Sequence, residues 1–249
     1  MAIKFPFKRT VRQFADGTYA NDGKSAYLLH LDYTQNPQHF VRPLFILQKD
    51  LQNLFDFVEP TDLNQLCFSY RIHELFIRCC IEVEANLNAI LMENGYNKAT
   101  DLNMDDYKKV NVSHLLSEYE VALPIWEGQC GTRKPFANWA IGKGLEWYKS
   151  YNKVKHQRNI EFAKANLSNL IDSICGLVAV LSAQFLTESF IPGNDYLLLD
   201  GEGNGMETAI GDYFRVRFPV FPEEMRYSFS YNEIKAPEFK IINFDYNSL

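Results

Sequence analysis

The chain has 249 residues, a formal charge of −6 and an apolar content of 47%. That length and apolar content allow a sizeable core, in one large domain or in one core domain with extensions. The acidic balance excludes a protein whose whole surface attracts polyanions, though not one with a local basic site. Five cysteines, Cys67, Cys79, Cys80, Cys130 and Cys175, follow no regular spacing, which argues against a disulfide framework and for a reducing, cytoplasmic compartment. The stretch MAIKFPFKRTVRQF lacks the apolar run of a signal peptide. No segment nears about 20 uninterrupted apolar residues, so no membrane span is expected.

Residues 1–59 read as an extension built from a strand and a helix. The strand is AYLLHLDYT (26–34), bounded by the turn residues NDG and QNP. The helix lies within 38–58, after Pro43, with Leu44, Leu47, Leu51, Leu54 and Val58 at helical spacing. A long helix of about nine turns then runs to Gly95, with Thr61 or Asp62 as its cap and Gln65 near the position that completes a capping box. Leu63, Leu66, Tyr70, Ile77, Cys80, Leu87 and Leu91 mark its apolar seam, and His73 and Glu84 fall on the same line. Polar groups on such a seam need partners, and a single core histidine usually finds one in a backbone or carboxylate group.

MDDYKKVNVSHLLSEYEV suggests two short helices, with Ser113 as a cap. LPIWEGQCGTRKPFANWAIGKG reads as an ordered loop or small hairpin laid over the bundle. A helix over 143–157 follows. A longer one spans 159–189, with Ala163, Leu167, Leu170, Ile174, Leu177, Leu181 and Phe185 on its seam and Pro192-Gly193 as its stop. Residues 191–249 read as a β-rich extension, from the alternation in YLLLD, DYFRVRFPVF, MRYSFSYNEI and FKIINFDY. The fold expected is mainly α: a helical bundle over 60–190 with β-rich extensions at both ends.

The segment YNKVKHQRN (151–159) stands out. On a helix Asn152, Lys155, His156 and Asn159 share one face, while Trp147, Tyr151 and Val154 form another stripe that Arg158 ends. Between 143 and 158 the charges are five positive (Lys143, Lys149, Lys153, Lys155, Arg158) and one negative (Glu146). Such a strip attracts phosphate, and a histidine there transfers protons near neutrality. The simplest alternative is a solvated helix face. On the long helix, Arg71, Glu74 and Arg78 are either a ladder of surface ion pairs or the other wall of the same groove.

A long helix with RIHELFIRCCIEVEANL, a loose middle, a short helix ending YNKVKHQR and a long apolar helix NLSNLIDSICGLVAVLSAQF follow one another. Over about residues 60–190 this order resembles the HEPN superfamily of helical bundles, in its ApeA-like or uncharacterised bacterial branches. The resemblance implies an antiparallel bundle that forms a homodimer. It also implies a metal-independent ribonuclease or RNA-binding effector of a bacterial defence or toxin–antitoxin system. Other members are inactive bundles that bind nucleic acid, nucleotide or protein, and both readings stay open. Active members carry Arg, four to six residues, then His. Here the nearest analogue is Lys149 with His156.

Under the ribonuclease reading His156 moves the proton, Lys155 and Arg158 hold the phosphate and Asn152 orients the imidazole or the phosphate. Lys149, Lys153, Lys155, Arg158, Arg71 and Arg78 contact the nucleic acid. No cofactor and no metal are expected. HELF (73–76) lacks the second histidine of a zinc-protease helix, there is no CxxC, and DGEGNG (200–205) departs from GxGxxG and reads as a turn.

Overall fold

The computed structural model describes residues 3–190 and 205–249. The fold is mainly α. In chain order it contains α1 (Gln38–Phe55), α2 (Tyr70–Glu93), α3 (Met104–Lys108), α4 (Val110–His114), strands β1 (Glu120–Ala122) and β2 (Thr132–Arg133), α5 (Glu146–Glu161), α6 (Leu167–Phe185), β3 (Glu207–Thr208), β4 (Arg215–Arg217) and α7 (Tyr231–Ile234). The expected strand YLLLD and most of the DGEGNG turn lie outside the described residues.

Helix α6 is the axis. From Ile171 to Phe185 every residue but Asp172 is buried. Such an all-round apolar helix belongs in the middle of a core. By length and composition it is also apolar enough to cross a membrane, but here most of it is buried against the rest of the chain. The α2–α6 pair is the most extensive helix contact, and Gly176 of α6 makes room on another side for Trp147 of α5, 3.4 Å from where its Cβ would be. Cys79 of α2 meets Ser173 of α6. Burial pushes the Cys79 thiol up to about 12, so it packs as a small hydrophobe.

Consecutive long helices run antiparallel. The C-terminal half of α1 faces the start of α2, with Asp50, Asn53 and Leu54 beside Arg71, Glu74 and Arg78. Tyr148 and Tyr151, early in α5, reach Glu84 in the second half of α2. The end of α5 faces the start of α2. As a result α2 and α6 are parallel: Phe68 pairs with Asn166 at one end, and Asn86 accepts a 2.9 Å bond from Gln184 at the other.

The expected start of α2 is corrected. The helix begins at Tyr70, and Ser69 caps it by accepting from the Ile72 N–H at 3.2 Å. Leu63, Leu66 and Tyr70 are exposed rather than on a buried seam. Tertiary bonds outcompete the helix before that point. The Asp62 carboxylate accepts from Trp126 Nε1 (2.8 Å) and from the Gln129 and Cys130 N–H groups (2.8 and 3.1 Å). These bonds, the Trp126 one first, pull its pKa down to about 2. Gly128 permits the approach, since a Cβ there would fall 2.4 Å from the carboxylate. The carbonyls of Gln65 and Cys67 then accept from Ser168 and Leu167 instead of from helical neighbours.

Other local expectations also change. Residues 26–34 form no strand: 3₁₀ turns span Asn21–Leu29 and a bend follows. Helix α1 starts at Gln38, before Pro43 rather than after it, because proline there removes only one N–H near the helix start. Ser113 lies inside α4, buried, rather than at a cap. The helix expected over 159–189 begins at Leu167 under an Asn166 cap, leaving Ala163 exposed, and it ends at Phe185. In the C-terminal segment, β4 falls within DYFRVRFPVF, but MRYSFSYNEI and FKIINFDY contribute only single bridges, at Tyr227 and Ile242. Ser230 and Glu233 form a reciprocal capping box that turns YNEI into α7. Of the segment 123–144, expected as an ordered loop or small hairpin, Thr132–Arg133 forms β2, and its partner β1 lies before that segment, at Glu120–Ala122. These two strands join β4 and β3 in an antiparallel sheet of order β2-β1-β4-β3, with Val121 opposite Val216.

The N-terminal segment threads between the bundle and the C-terminal tail. Val11 N–H donates to the Ala183 carbonyl (2.8 Å), and Tyr227 and Ile242 pair with residues 3–14. Arg9, fully buried, donates to Glu93 (2.6 Å) and Gln184 (2.7 Å) and lies 4.0 Å over the Phe40 ring. His114 Nε2 is 2.8 Å from the Arg9 carbonyl, and His114 Nδ1 is 2.7 Å from the Ser113 hydroxyl, itself bonded to Tyr246. The carbonyl accepts, so Nε2 carries the proton and the ring is neutral.

Burial lowers the His114 pKa from 6.5 to about 4. The unfolded chain therefore binds a proton that the folded one refuses. Stability from this group is complete above the ordinary histidine value, declines as pH falls, and levels off below the folded pKa. From pH 7 to pH 5 the loss is about 2 kcal/mol, measurable by urea unfolding. His114→Gln, which keeps a donor toward the Arg9 carbonyl, removes that slope.

Candidate functional site

Helix α5 has no side-chain cap and is held by its apolar face. Trp147, Tyr148, Tyr151 and Val154 are buried, and Trp147 Nε1 donates to the Pro135 carbonyl at 2.9 Å. The tyrosine hydroxyls of Tyr148 and Tyr151 donate to Glu84, which is the partner that the seam carboxylate requires. Burial, then the Glu84 carboxylate, pushes both phenols well above the usual tyrosine value, so they act as neutral donors.

At Gln157 the helical backbone breaks, with φ −135° and ψ 42°. Arg158, four residues after Val154 on the Trp147 stripe, lines a groove between the end of α5 and the start of α2 together with Val154. The groove, of about 740 Å³, is lined by Tyr70, His73 and Ile77 of α2 and by Val154, Lys155, His156, Arg158, Asn159 and Phe162. Its volume lies in the about 300–1,000 Å³ range of small-molecule sites.

Three of the four expected catalytic residues therefore line one groove: Lys155, His156 and Arg158. Asn152, half-buried one turn earlier, does not line it. The expected nucleic-acid contacts separate further. Lys149 pairs with Glu146 (2.7 Å). Lys153 lies beside Lys164, whose charge lowers its pKa. Arg71 pairs with Glu74 (3.3 Å) and Arg78 with Asp50, in a different groove on the α1 side of α2. The expectation that Arg71 and Arg78 share a groove with the basic strip is thus corrected. They sit one position off the Tyr70–His73–Ile77 line, and about 100° of helix rotation per residue turns them onto a different face.

Lys155 and Arg158 differ from those cations. Among the described residues no carboxylate pairs with either of them. Lys155 Nζ lies 5.2 Å from the centre of the Tyr151 ring. The floor is aromatic: Phe162 is 4.7 Å from Tyr70, 5.7 Å from Phe68 and 5.6 Å from the His73 ring, centre to centre. Phe68, Tyr70 and Ile160 are substantially exposed around it.

His73, read from the sequence as a core histidine, is a groove residue, and Tyr70, Asn159 and Phe162 join it. Burial lowers the His73 pKa first, and the nearby Arg158 charge lowers it further. The legible signal was the spacing of Tyr70, His73 and Ile77, which marks one helix face. Which partner that face would meet was not in the spacing. Among the described residues no three histidine, cysteine, aspartate or glutamate side chains cluster as a metal site. No family model, no curated protein and no solved structure matches the chain.

The Arg158 effect is directly measurable. The NMR titration midpoint of His73 falls below the ordinary histidine value. Arg158→Ala moves it upward, and Arg71→Ala, on a different face of the helix, leaves it in place.

Proposed function

We propose that the chain is a HEPN-like bundle whose α2–α5 groove binds single-stranded RNA and cleaves it without a metal ion. The observation that supports this reading is the convergence of two unpaired cations, Lys155 and Arg158, with two imidazoles and an aromatic floor. The cations suit a phosphate and its developing charge. Tyr70 and Phe162 suit an unstacked base, and base–aromatic stacking is worth about 1–3 kcal/mol per base. Duplex RNA keeps its bases stacked inside and offers no face to such rings. The His156 imidazole is positioned to move a proton at the scissile phosphate.

A second reading keeps the binding and drops the chemistry. It is favoured by the missing Arg-x4–6-His spacing and by His156, which is exposed and has no hydrogen-bond partner among the described residues to orient it. In either reading the bacterial setting is defence or toxin–antitoxin, and the assembly is a homodimer. The exposed apolar side chains Leu63, Leu66 and Ile160, which do not line the groove, are the surface for a second copy. Sedimentation velocity then gives a dimer for the wild type and a monomer for Leu66→Asp.

RNA binding and cleavage by the purified chain in EDTA test the reading. Binding weakens steeply with salt. Lys155→Ala and Arg158→Ala each lower the slope of log affinity against log salt by about 0.7, whereas Arg71→Ala and Arg78→Ala leave it unchanged. Cleavage disappears in His156→Ala and Arg158→Ala with the helical circular dichroism signal intact. Affinity that ignores salt, or falls equally in all four cation variants, removes the groove from the account.

A further inference from the structure

We propose that His73 and His156 work as an acid–base pair across this groove. His73 takes the proton of a ribose 2′-hydroxyl, and His156 protonates the departing 5′-oxygen of the next nucleotide. The inference rests on the reading of the groove as an RNA site, and it assigns to His73 a role that the basic strip alone does not contain.

The geometry separates the two imidazoles by element and by environment. His73 projects from α2 and is half-buried against the Phe162 ring, beside Tyr70 and Ile77. Arg158 is close enough to disfavour its protonated form. Glu74, on its own helix, acts in the opposite sense as a smaller influence. A ring held neutral is a base. His156 projects from α5 and is exposed beside Lys155 and Arg158. It is placed at the solvent side, where a leaving strand departs and where a proton is readily resupplied. Neither imidazole has a hydrogen-bond partner among the described residues, so both ring edges are open to a substrate.

The step balances within the substrate and these side chains. The 2′-oxygen forms a bond to phosphorus as its proton passes to His73. The phosphorus–5′-oxygen bond breaks as His156 gives its proton to that oxygen. Lys155 and Arg158 hold the equatorial oxygens while charge builds on them. The products are a 2′,3′-cyclic phosphate and a 5′-hydroxyl end, with no water, redox partner or metal consumed.

The test uses the full chain, EDTA and a mixed-sequence single-stranded RNA, on which the cleavage site is first mapped. Expected are cyclic-phosphate ends, no cleavage when that ribose is 2′-deoxy, and a loss of about a hundredfold or more in His73→Ala and in His156→Ala. Folding is checked by circular dichroism and by affinity for the 2′-deoxy strand. A second substrate carries sulfur in place of the bridging 5′-oxygen at that site. Its thiolate leaves without a proton, so His156→Ala cleaves it at near wild-type rate while His73→Ala does not. Equal rescue of both variants, or a fully active His73→Ala, overturns the pair. Salt-dependent RNA binding with no wild-type cleavage also overturns it and leaves the RNA site standing. No binding to RNA at all overturns both.

Discussion

The buried guanidinium of Arg9 is the constraint on which the rest of the fold depends. A desolvated charge costs several kcal/mol unless it is paired and hydrogen-bonded. Arg9 meets that demand by drawing four parts of the chain to one point: Glu93 at the end of α2, Gln184 at the end of α6, Phe40 at the start of α1 and the N-terminal segment itself. Gln184 passes the network on to Asn86, and Tyr33 donates to the Gln184 carbonyl at 2.6 Å. The αL backbone at Arg9, φ 52°, is held by these bonds. Arg12, nearly as buried, repeats the device toward the C-terminal tail, with bonds to the Ser113 and Met225 carbonyls and the Phe7 ring 4.9 Å away.

This network locks one end of the bundle and leaves the other free for function. At the Arg9 end, the finishing turns of α2 and α6 are tied together through side chains. At the opposite end, α2 starts late because Asp62 and the 65–68 backbone are bonded to the 126–130 loop and to the start of α6. The exposed Tyr70 and half-buried His73 of the first turn of α2 therefore face the kinked end of α5 instead of being sealed in a longer helix. The groove lies between the delayed start of α2 and the end of α5, at the end of the bundle away from the Arg9 network.

Charge pairing separates the residues around the groove more sharply than sequence position does. Lys149, Arg71 and Arg78 all have carboxylate partners at the surface, where such pairs contribute little energy but do neutralise the cation. Lys155 and Arg158 have none among the described residues. Within a chain of −6, Lys155 and Arg158 are two unpaired cations that the fold brings into one groove. A count along the sequence treats all of them alike.

The sequence by itself determined the parts that follow from periodicity and composition. It yielded a mainly α chain, the apolar faces of α1 and α6, the Trp147–Tyr151–Val154 stripe of α5 and the clustering of Lys155 with His156. These rest on side-chain spacing along one element. Tertiary structure decided where helices start and stop, since Asp62 and Cys67 satisfied long-range partners before local ones. It turned apparent strands into 3₁₀ turns and α7 by the bonds available at each. It also brought His73 from an assumed core position to the groove that Arg158 lines. Two residues about 80 positions apart meet only when their helices pack, and the free energy of that packing is distributed over the whole core rather than written in either segment.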